Sequence, residues 1–410
     1  MTSTDGEPTT LRVAGMMSGT SFDAVDVAVA DFAVDPADPQ TVRFRPIGMT
    51  SREIDPTMRS RIGAVLPPQP TTIEEVCRLD TELGQLFAAA AAAAADRYGP
   101  VDLVVSHGQT VFHWVRDRHA LGTLQLGNPA WIAEATGAPV LSDIRNRDIA
   151  RGGQGAPLAA ILDALLVLSG EPDATTSSTP RRGSLNLGGI ANITVSEVGT
   201  DGRRRVLAYD LGPAGALLDL SVSRATNGVT RMDIDGRHAA SGQVDTALLR
   251  RLLDEPYFDL DPPKSTGKEL FDARFLDAAL AGGEPPDLGD LLATLTELTA
   301  TLVADACRRH RLTELVVAGG GIRNPTLMSR ISAMAEGVAV RPSSDFGLPP
   351  QAKEAYLMAL LGFLSWHGIP GTLASATGAS SLLGSFTPGS RPLQLPTPRG
   401  ITPTRMIITT

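Results

Sequence analysis

Short apolar runs alternate along the chain with longer stretches whose apolar residues recur every three or four positions. Residues 11–14 form an apolar run that enters a segment rich in Gly, Ser and Thr, and 25–32 resume it, which predicts strand, turn and strand. Thr72, followed three residues later by Glu75, forms a capping box opening a long helix. Its Ile73, Val76, Leu79, Leu83, Leu86 and Phe87 fall at helical spacing, and Gly99-Pro100 ends it. The same reasoning predicts strands over 101–106, 140–144, 184–187, 206–210 and 314–318, with a hairpin around Asp201-Gly202. Helices are predicted over 129–137, 157–168, from 214 onward, and over 288–311, 325–335 and 350–366. The last of these carries Tyr356, Leu357, Leu360, Leu361 and Leu364 on its buried side.

Strand and helix signals therefore alternate twice, separated by 170–182, a stretch rich in Pro, Ser, Thr and Gly that reads as a linker. At 410 residues the chain exceeds one ordinary core. An α/β protein of two similar halves flanking a cleft is expected. The first domain is expected over 1–168, completed by 368–410, and the second over 183–367. The two halves share no visible sequence homology.

Composition narrows the partners. A formal net charge of −9 argues against nucleic acid or an anionic membrane surface. The basic cluster 145–151 could face an anionic ligand, whereas 203–205 reads as a solvated hairpin tip. The two cysteines, Cys77 and Cys307, sit in helical patterns and are expected to be buried, without a disulfide framework. The N-terminus lacks a basic stretch followed by an apolar run, and the most apolar segment, 87–95, is too short to span a membrane. A cytoplasmic protein is expected; the sequence leaves the oligomeric state open, with a homodimer as the candidate.

Three segments could carry chemistry. In 15–26, Gly-Met-Met-Ser-Gly-Thr-Ser-Phe-Asp-Ala-Val-Asp, turn amides and the Thr20 and Ser21 hydroxyls could converge on phosphate, and Asp23 or Asp26 could hold a hydrated magnesium ion. An ordinary hairpin turn is the alternative. In 209–215, Tyr-Asp-Leu-Gly-Pro-Ala-Gly, Asp210 stands at a strand end before a helix whose amides could meet an anion; it could accept a proton, bind metal or merely cap the helix. In 316–325, Val-Val-Ala-Gly-Gly-Gly-Ile-Arg-Asn-Pro, the triplet Gly319, Gly320 and Gly321 permits close approach of a flat ligand, or a tight structural turn.

The order of these segments resembles the actin/hexokinase-like ATPases, which implies two RNase H-like domains, phosphate loops on either side of ATP and the glycine triplet against adenosine. The usual strand-end Asp of the first loop is missing, since Gly15, Met16 and Met17 occupy that region, so Asp23 would serve instead. A closer resemblance covers about 11–385. The blocks 15–26, 106–113 (Ser-His-Gly-Gln-Thr-Val-Phe-His), 123–127, 143–158, 186–193 (Asn-Leu-Gly-Gly-Ile-Ala-Asn-Ile) and Lys353-Glu354 look like the anhydro-N-acetylmuramic acid kinase family.

That resemblance implies an ATP- and Mg2+-dependent enzyme that opens the 1,6-anhydro bridge of an amino sugar with water and phosphorylates the released 6-oxygen, in peptidoglycan recycling. It implies Asp210 as the base. It implies nucleotide contacts from Gly19, Thr20, Ser21, Phe22, Asp23, Ala24, Val25, Asp26, Gly188, Gly212, Gly319, Gly320, Gly321 and Asn324, with Asp23 reaching magnesium through water. Sugar contacts are implied for His107, Thr110, Arg145, Arg147 and Glu354. Arg145 and Arg147 suit the substrate's lactyl carboxylate, or else ion pairs with Asp143 or Asp148; Glu354 is a cleft residue or a favourable charge at a helix start. Zinc is not expected from His107 and His113. The chain departs from the family at Ala24, Leu211, Ala214 and Gly215, where Gly, Thr, Gly and Asn are usual. A kinase for another sugar or polyol, or a nucleotide-gated interaction protein, therefore stays open.

Overall fold

The computed structural model describes residues 10–19, 22–117, 119–169, 180–198, 204–262, 264–267 and 270–409. Thr20, Ser21, most of the expected linker and the expected hairpin at Asp201-Gly202 lie outside them. The described strands are β1 (Leu11–Ser18), β2 (Ala24–Val34), β3 (Thr41–Glu53), β4 (Leu103–Ser106), β5 (Gln109–Arg116), β6 (His119–Leu126), β7 (Val140–Ser142), β8 (Arg182–Leu187), β9 (Ile190–Val198), β10 (Arg204–Pro213), β11 (Glu314–Ala318), β12 (Ala339–Pro342), β13 (Ser385–Thr387) and β14 (Arg405–Ile408).

They fall into two compact units, 1–169 with 352–410, and 170–351. In the first, the sheet runs β13-β7-β4-β1-β2-β3-β14. The meander β1-β2-β3 is antiparallel, whereas β4 and β7 join β1 in parallel. In the second, the order is β10-β9-β8-β11-β12, again an antiparallel meander followed by two parallel strands. Each unit thus repeats one design: meander, then parallel crossovers. This is the RNase H-like architecture, an α/β fold repeated in the two units.

Local chemistry accounts for the elements. The Thr72 hydroxyl accepts the Glu75 amide at 3.1 Å and opens the helix Ile73–Tyr98, which Gly99 ends at φ +93°. The reciprocal half of the capping box is not made, because Glu75 pairs with Arg61 at 2.8 Å. Burial begins only at Leu79; the first turn is solvated, so Ile73 is 85% exposed and Cys77, expected inside, is exposed as well. Cys307 is buried. The segment expected as one helix over 157–168 is a short α-turn, Ala160–Leu162, continuing as a π-helical segment, Asp163–Val167.

The helix Lys353–Trp366, expected in the second domain, packs on the first unit's sheet against β1, β2 and β4. The reason is steric. A Cβ at Gly15 would fall on the Ala355 carbonyl and Ala359 amide, and one at Gly362 on Val105, so only glycines let strand and helix lie this close. The helix is buried on nearly every side, with Glu354 exposed in its first turn. Lys353 and Asp163, both almost fully buried, form an ion pair at 2.6 Å that ties the helix to the π-helical segment.

Replacing Gly15 by Ala is expected to destabilise the protein by about 3 kcal/mol, because helix backbone cannot yield as a side chain would. Gly63→Ala, where a Cβ meets nothing within 4 Å, is expected to stabilise by about 0.5 kcal/mol. Chemical denaturation of both variants measures the difference.

Candidate active site

In the first unit β1, β4 and β7 run parallel, so their carboxyl ends share one edge, where ligands of such sheets bind. β1 ends at Ser18, so Gly15, Met16 and Met17 belong to the strand. Phe22 turns back at φ +39°, its amide donating to the Gly19 carbonyl at 3.1 Å. Asp23 is exposed at the tip, while Ala24, Val25 and Asp26 already lie in β2. Burial raises the Asp26 carboxyl above its ordinary range; a hydrogen bond with Ser51 opposes this and the Asp23 charge adds to it. Two neighbouring carboxylates with one disfavoured as an anion suit a hard cation with oxygen ligands. No group of three or more His, Cys, Asp or Glu residues is placed to hold a metal among the described residues.

β4 ends at Ser106 and delivers His107 into a cavity of about 320 Å³ lined by Ser106, His107, Thr123, Gln125, Asp143 and Asn146 among others. The hairpin β5-β6 supplies one wall. Gln109 at its base accepts the Ser18 hydroxyl at 2.7 Å, which fastens this block to the end of β1. Thr110 accepts from the Gln125 amide at 3.2 Å. Asp143 follows β7 at φ +52° and accepts from Asn146 at 2.7 Å.

His107 is buried between two fixed partners. Its Nδ1 lies 2.9 Å from the Gly108 carbonyl, which can only accept, so Nδ1 carries the proton. Nε2 then accepts Arg145 Nε–H at 2.9 Å. Burial, with the Arg145 charge adding to it, pushes the imidazole down to about 3, so His107 is neutral throughout the physiological range. Arg145 donates a second hydrogen bond to the Gly155 carbonyl at 2.6 Å. Its own pKa is held down to about 10 by burial, with the Glu354 charge opposing, and it remains cationic. His107, Arg145 and Glu354 are thus brought together.

Arg147 is not: it is exposed and forms no side-chain hydrogen bond or ion pair among the described residues. The alternative, ion pairs of Arg145 or Arg147 with Asp143 or Asp148, is not found among the described residues. Asp148, fully buried, instead accepts from Thr372, Thr377 and the Gly155 amide and ties the 143–157 loop to the C-terminal segment.

In the second unit Asp210 stands where β10 bulges against β9, between Asp210 and Gly212. Gly212, at φ +154°, faces Leu302 and Phe258 with no room for a Cβ. One carboxylate oxygen of Asp210 accepts from Ser265 Oγ at 2.8 Å and from the Thr266 amide at 3.0 Å. Ser265 and Thr266 escaped sequence reasoning; the run Lys264-Ser-Thr-Gly267 after two prolines was the available signal.

The amides opening the helix Gly215–Ala225, expected to await an anion, are already used. Ala214 and Ala216 donate to the Gly189 carbonyl and Gly215 to that of Gly188. The glycine triplet also has an internal cause. A Cβ on Gly319 or Gly321 would strike Leu187, whereas Gly320 is open to all but the tip of Arg323. Asn324 caps the helix Pro325–Met334 by accepting the Leu327 amide at 3.0 Å.

Residues 11–389 match the family model described as anhydro-N-acetylmuramic acid kinase. A protein of that name from Streptomyces coelicolor is 51% identical over 399 residues, covering 96% of this chain and 98% of the relative. Another from Rhodococcus erythropolis is 48% identical over 390 residues, covering 93% and 96%. The chain belongs to the anhydro-N-acetylmuramic acid kinase family. Among solved structures, the activator of 2-hydroxyisocaproyl-CoA dehydratase from Clostridium difficile aligns at a TM-score of 0.39 and 13% identity, over 86% of this chain and 94% of that one. Two of the chain's departures from the family pattern have a packing explanation: Leu211 and Ala214 belong to the second unit's core, 4% and 2% exposed.

Proton linkage follows from His107. It binds a proton near pH 6.5 when unfolded and only near 3 when folded, so it favours the folded state fully above 6.5 and loses that contribution as pH falls toward 3. His107→Gln keeps an acceptor for Arg145 and does not titrate. Its stability is expected to fall less steeply than wild type between about pH 6.5 and 4, as measured by denaturation across that range.

Proposed function

We propose that this protein binds 1,6-anhydro-N-acetylmuramic acid and ATP, opens the anhydro bridge with water and phosphorylates the 6-oxygen, yielding N-acetylmuramic acid 6-phosphate and ADP. Membership of the kinase family along nearly the whole chain carries this reading. Asp210 supplies the chemistry: a carboxylate oriented through one oxygen at a bulged strand end takes the proton from the attacking water. The water oxygen forms a bond to C1 as the C1–O6 bond breaks. The freed O6 forms a bond to the γ-phosphorus as the bond to ADP breaks, so leaving group and nucleophile are one atom.

In this reading Arg145 offers its charge to the sugar's lactyl carboxylate, with His107 and the Gly155 carbonyl fixing its plane. Thr110 and Arg147 are assigned to the sugar, and Glu354 touches it beside Arg145. Gly19, Thr20, Ser21, Phe22, Asp23, Ala24, Val25 and Asp26 are assigned to the phosphates; Gly188, Gly212, Gly319, Gly320, Gly321 and Asn324 complete the nucleotide contacts. Asp23, with Asp26 beside it, would hold hydrated Mg2+, which neutralises phosphate charge when bound. No helix among the described residues is long and apolar enough to cross a membrane, and the cytoplasm is the proposed location. A kinase for an open-ring sugar is the less favoured reading, since Leu211 faces the core rather than a ligand.

With the anhydro sugar, ATP and Mg2+, the 6-phosphate product is expected, and Asp210→Asn should lower its rate by about a thousandfold. Phosphorylation of an open-ring hexose but not of the anhydro sugar would reverse the choice. Near-normal turnover by Asp210→Asn would show that another group removes the proton. Chelation with EDTA should abolish turnover, with recovery on adding Mg2+.

A further inference from the structure

We infer that the 264–267 turn is a positioning device for the proposed base, with Ser265 as its adjustable member; this rests on Asp210 acting as that base. The turn meets Asp210 through both backbone and side chain. The Asp210 amide donates to the Lys264 carbonyl at 3.1 Å, and the same carboxylate oxygen accepts Ser265 Oγ–H and the Thr266 amide. From the preceding segment, Tyr257 OH donates to the Asp210 carbonyl at 2.8 Å.

The turn itself is anchored. Lys264 Nζ donates to the carbonyls of Tyr257 and Phe258 at 3.0 and 2.9 Å and sits 4.7 Å from the centre of the Tyr257 ring. Its charge thus braces the turn. Phe258 and Phe271 stack on each other, and Tyr257 packs edge-on against both, forming an aromatic wedge.

Two donors on one oxygen fix the carboxylate plane and favour its ionised form, which makes it a weaker but correctly aimed base. Ser265 is exposed, unlike an ordinary core hydroxyl, yet it reaches a carboxylate 55 positions earlier in the chain. The ionisable groups around this arrangement are Tyr257 and Lys264, with Asp259, Asp261 and Arg309 acting on Lys264, and Asp219 on the helix Gly215–Ala225. Lys268 and Glu269 follow in sequence, outside the described residues. Opposite Asp210, β9 presents Asn192, which does not titrate.

The test compares full-length wild type, Ser265→Ala, Ser265→Thr and Asp210→Asn with anhydro-N-acetylmuramic acid and ATP, measuring kcat and KM from about pH 5 to 9. Ser265→Ala is expected to lower kcat about tenfold and raise the acid-limb pKa by about one unit, with KM for ATP unchanged. Ser265→Thr, which keeps the hydroxyl, is expected to restore both. A folded Ser265→Ala enzyme whose acid limb stays at the wild-type position, while Asp210→Asn is inactive, overturns the inference and leaves the base assignment standing. An active Asp210→Asn enzyme overturns both.

Discussion

The contact between β1 and the helix Lys353–Trp366 sets the terms for the rest of the first unit. Strand and helix touch backbone to backbone because Gly15 and Gly362 carry no Cβ. That closeness fixes the start of the helix, where Lys353 is buried against Asp163 and Glu354 stands near Arg145. An unpaired charge at either Lys353 or Asp163 would be costly in so dry a setting, so the pair specifies where the helix begins more than it adds stability. The Gly15-Met-Met segment looked like an altered phosphate loop, but it is strand interior.

Polar hubs transmit this geometry to the pocket. Asp148 binds two threonines of the C-terminal segment and an amide of its own loop, fixing the backbone whose Gly155 carbonyl receives Arg145. His107 completes the cradle as a neutral acceptor. A histidine lining a polar cavity invites an acid–base role, yet here its environment removes that option and leaves orientation. Asp210 is managed differently, by two donors on one carboxylate oxygen.

Much of this was readable from the chain. The Thr72 cap, the glycine stops and the strand–turn–strand opening follow from local rules, and they appear where spacing puts them. β3 was not foreseen, since Pro46 and the polar tail 50–53 break its alternation. Nor was the β5-β6 hairpin, whose exposed Phe112, Trp114 and Leu124 obscure a two-sided pattern. The last long helix went to the wrong half because nothing local tells an apolar helix which sheet will cover it. Family-specific blocks singled out Asp210, His107 and Arg145 as candidates. They did not disclose that Leu211 is core, that Asn324 is a cap, or that Gly319 and Gly321 avoid Leu187. Such facts depend on partners distant in sequence.

Both edge strands of the first unit's sheet come from the C-terminal segment: β14 pairs with β3 and β13 with β7. The second unit is an uninterrupted insertion of 170–351. During synthesis the ribosome therefore releases every residue of the inserted unit before the host unit has its edge strands or its central helix. The order of biogenesis is inside out: the unit bearing Asp210 can fold first, while the unit bearing His107 and Arg145 must wait for the last residues to emerge. A chain cut short by even thirty or so residues would leave β3 without its neighbour, an open edge that the finished protein never displays.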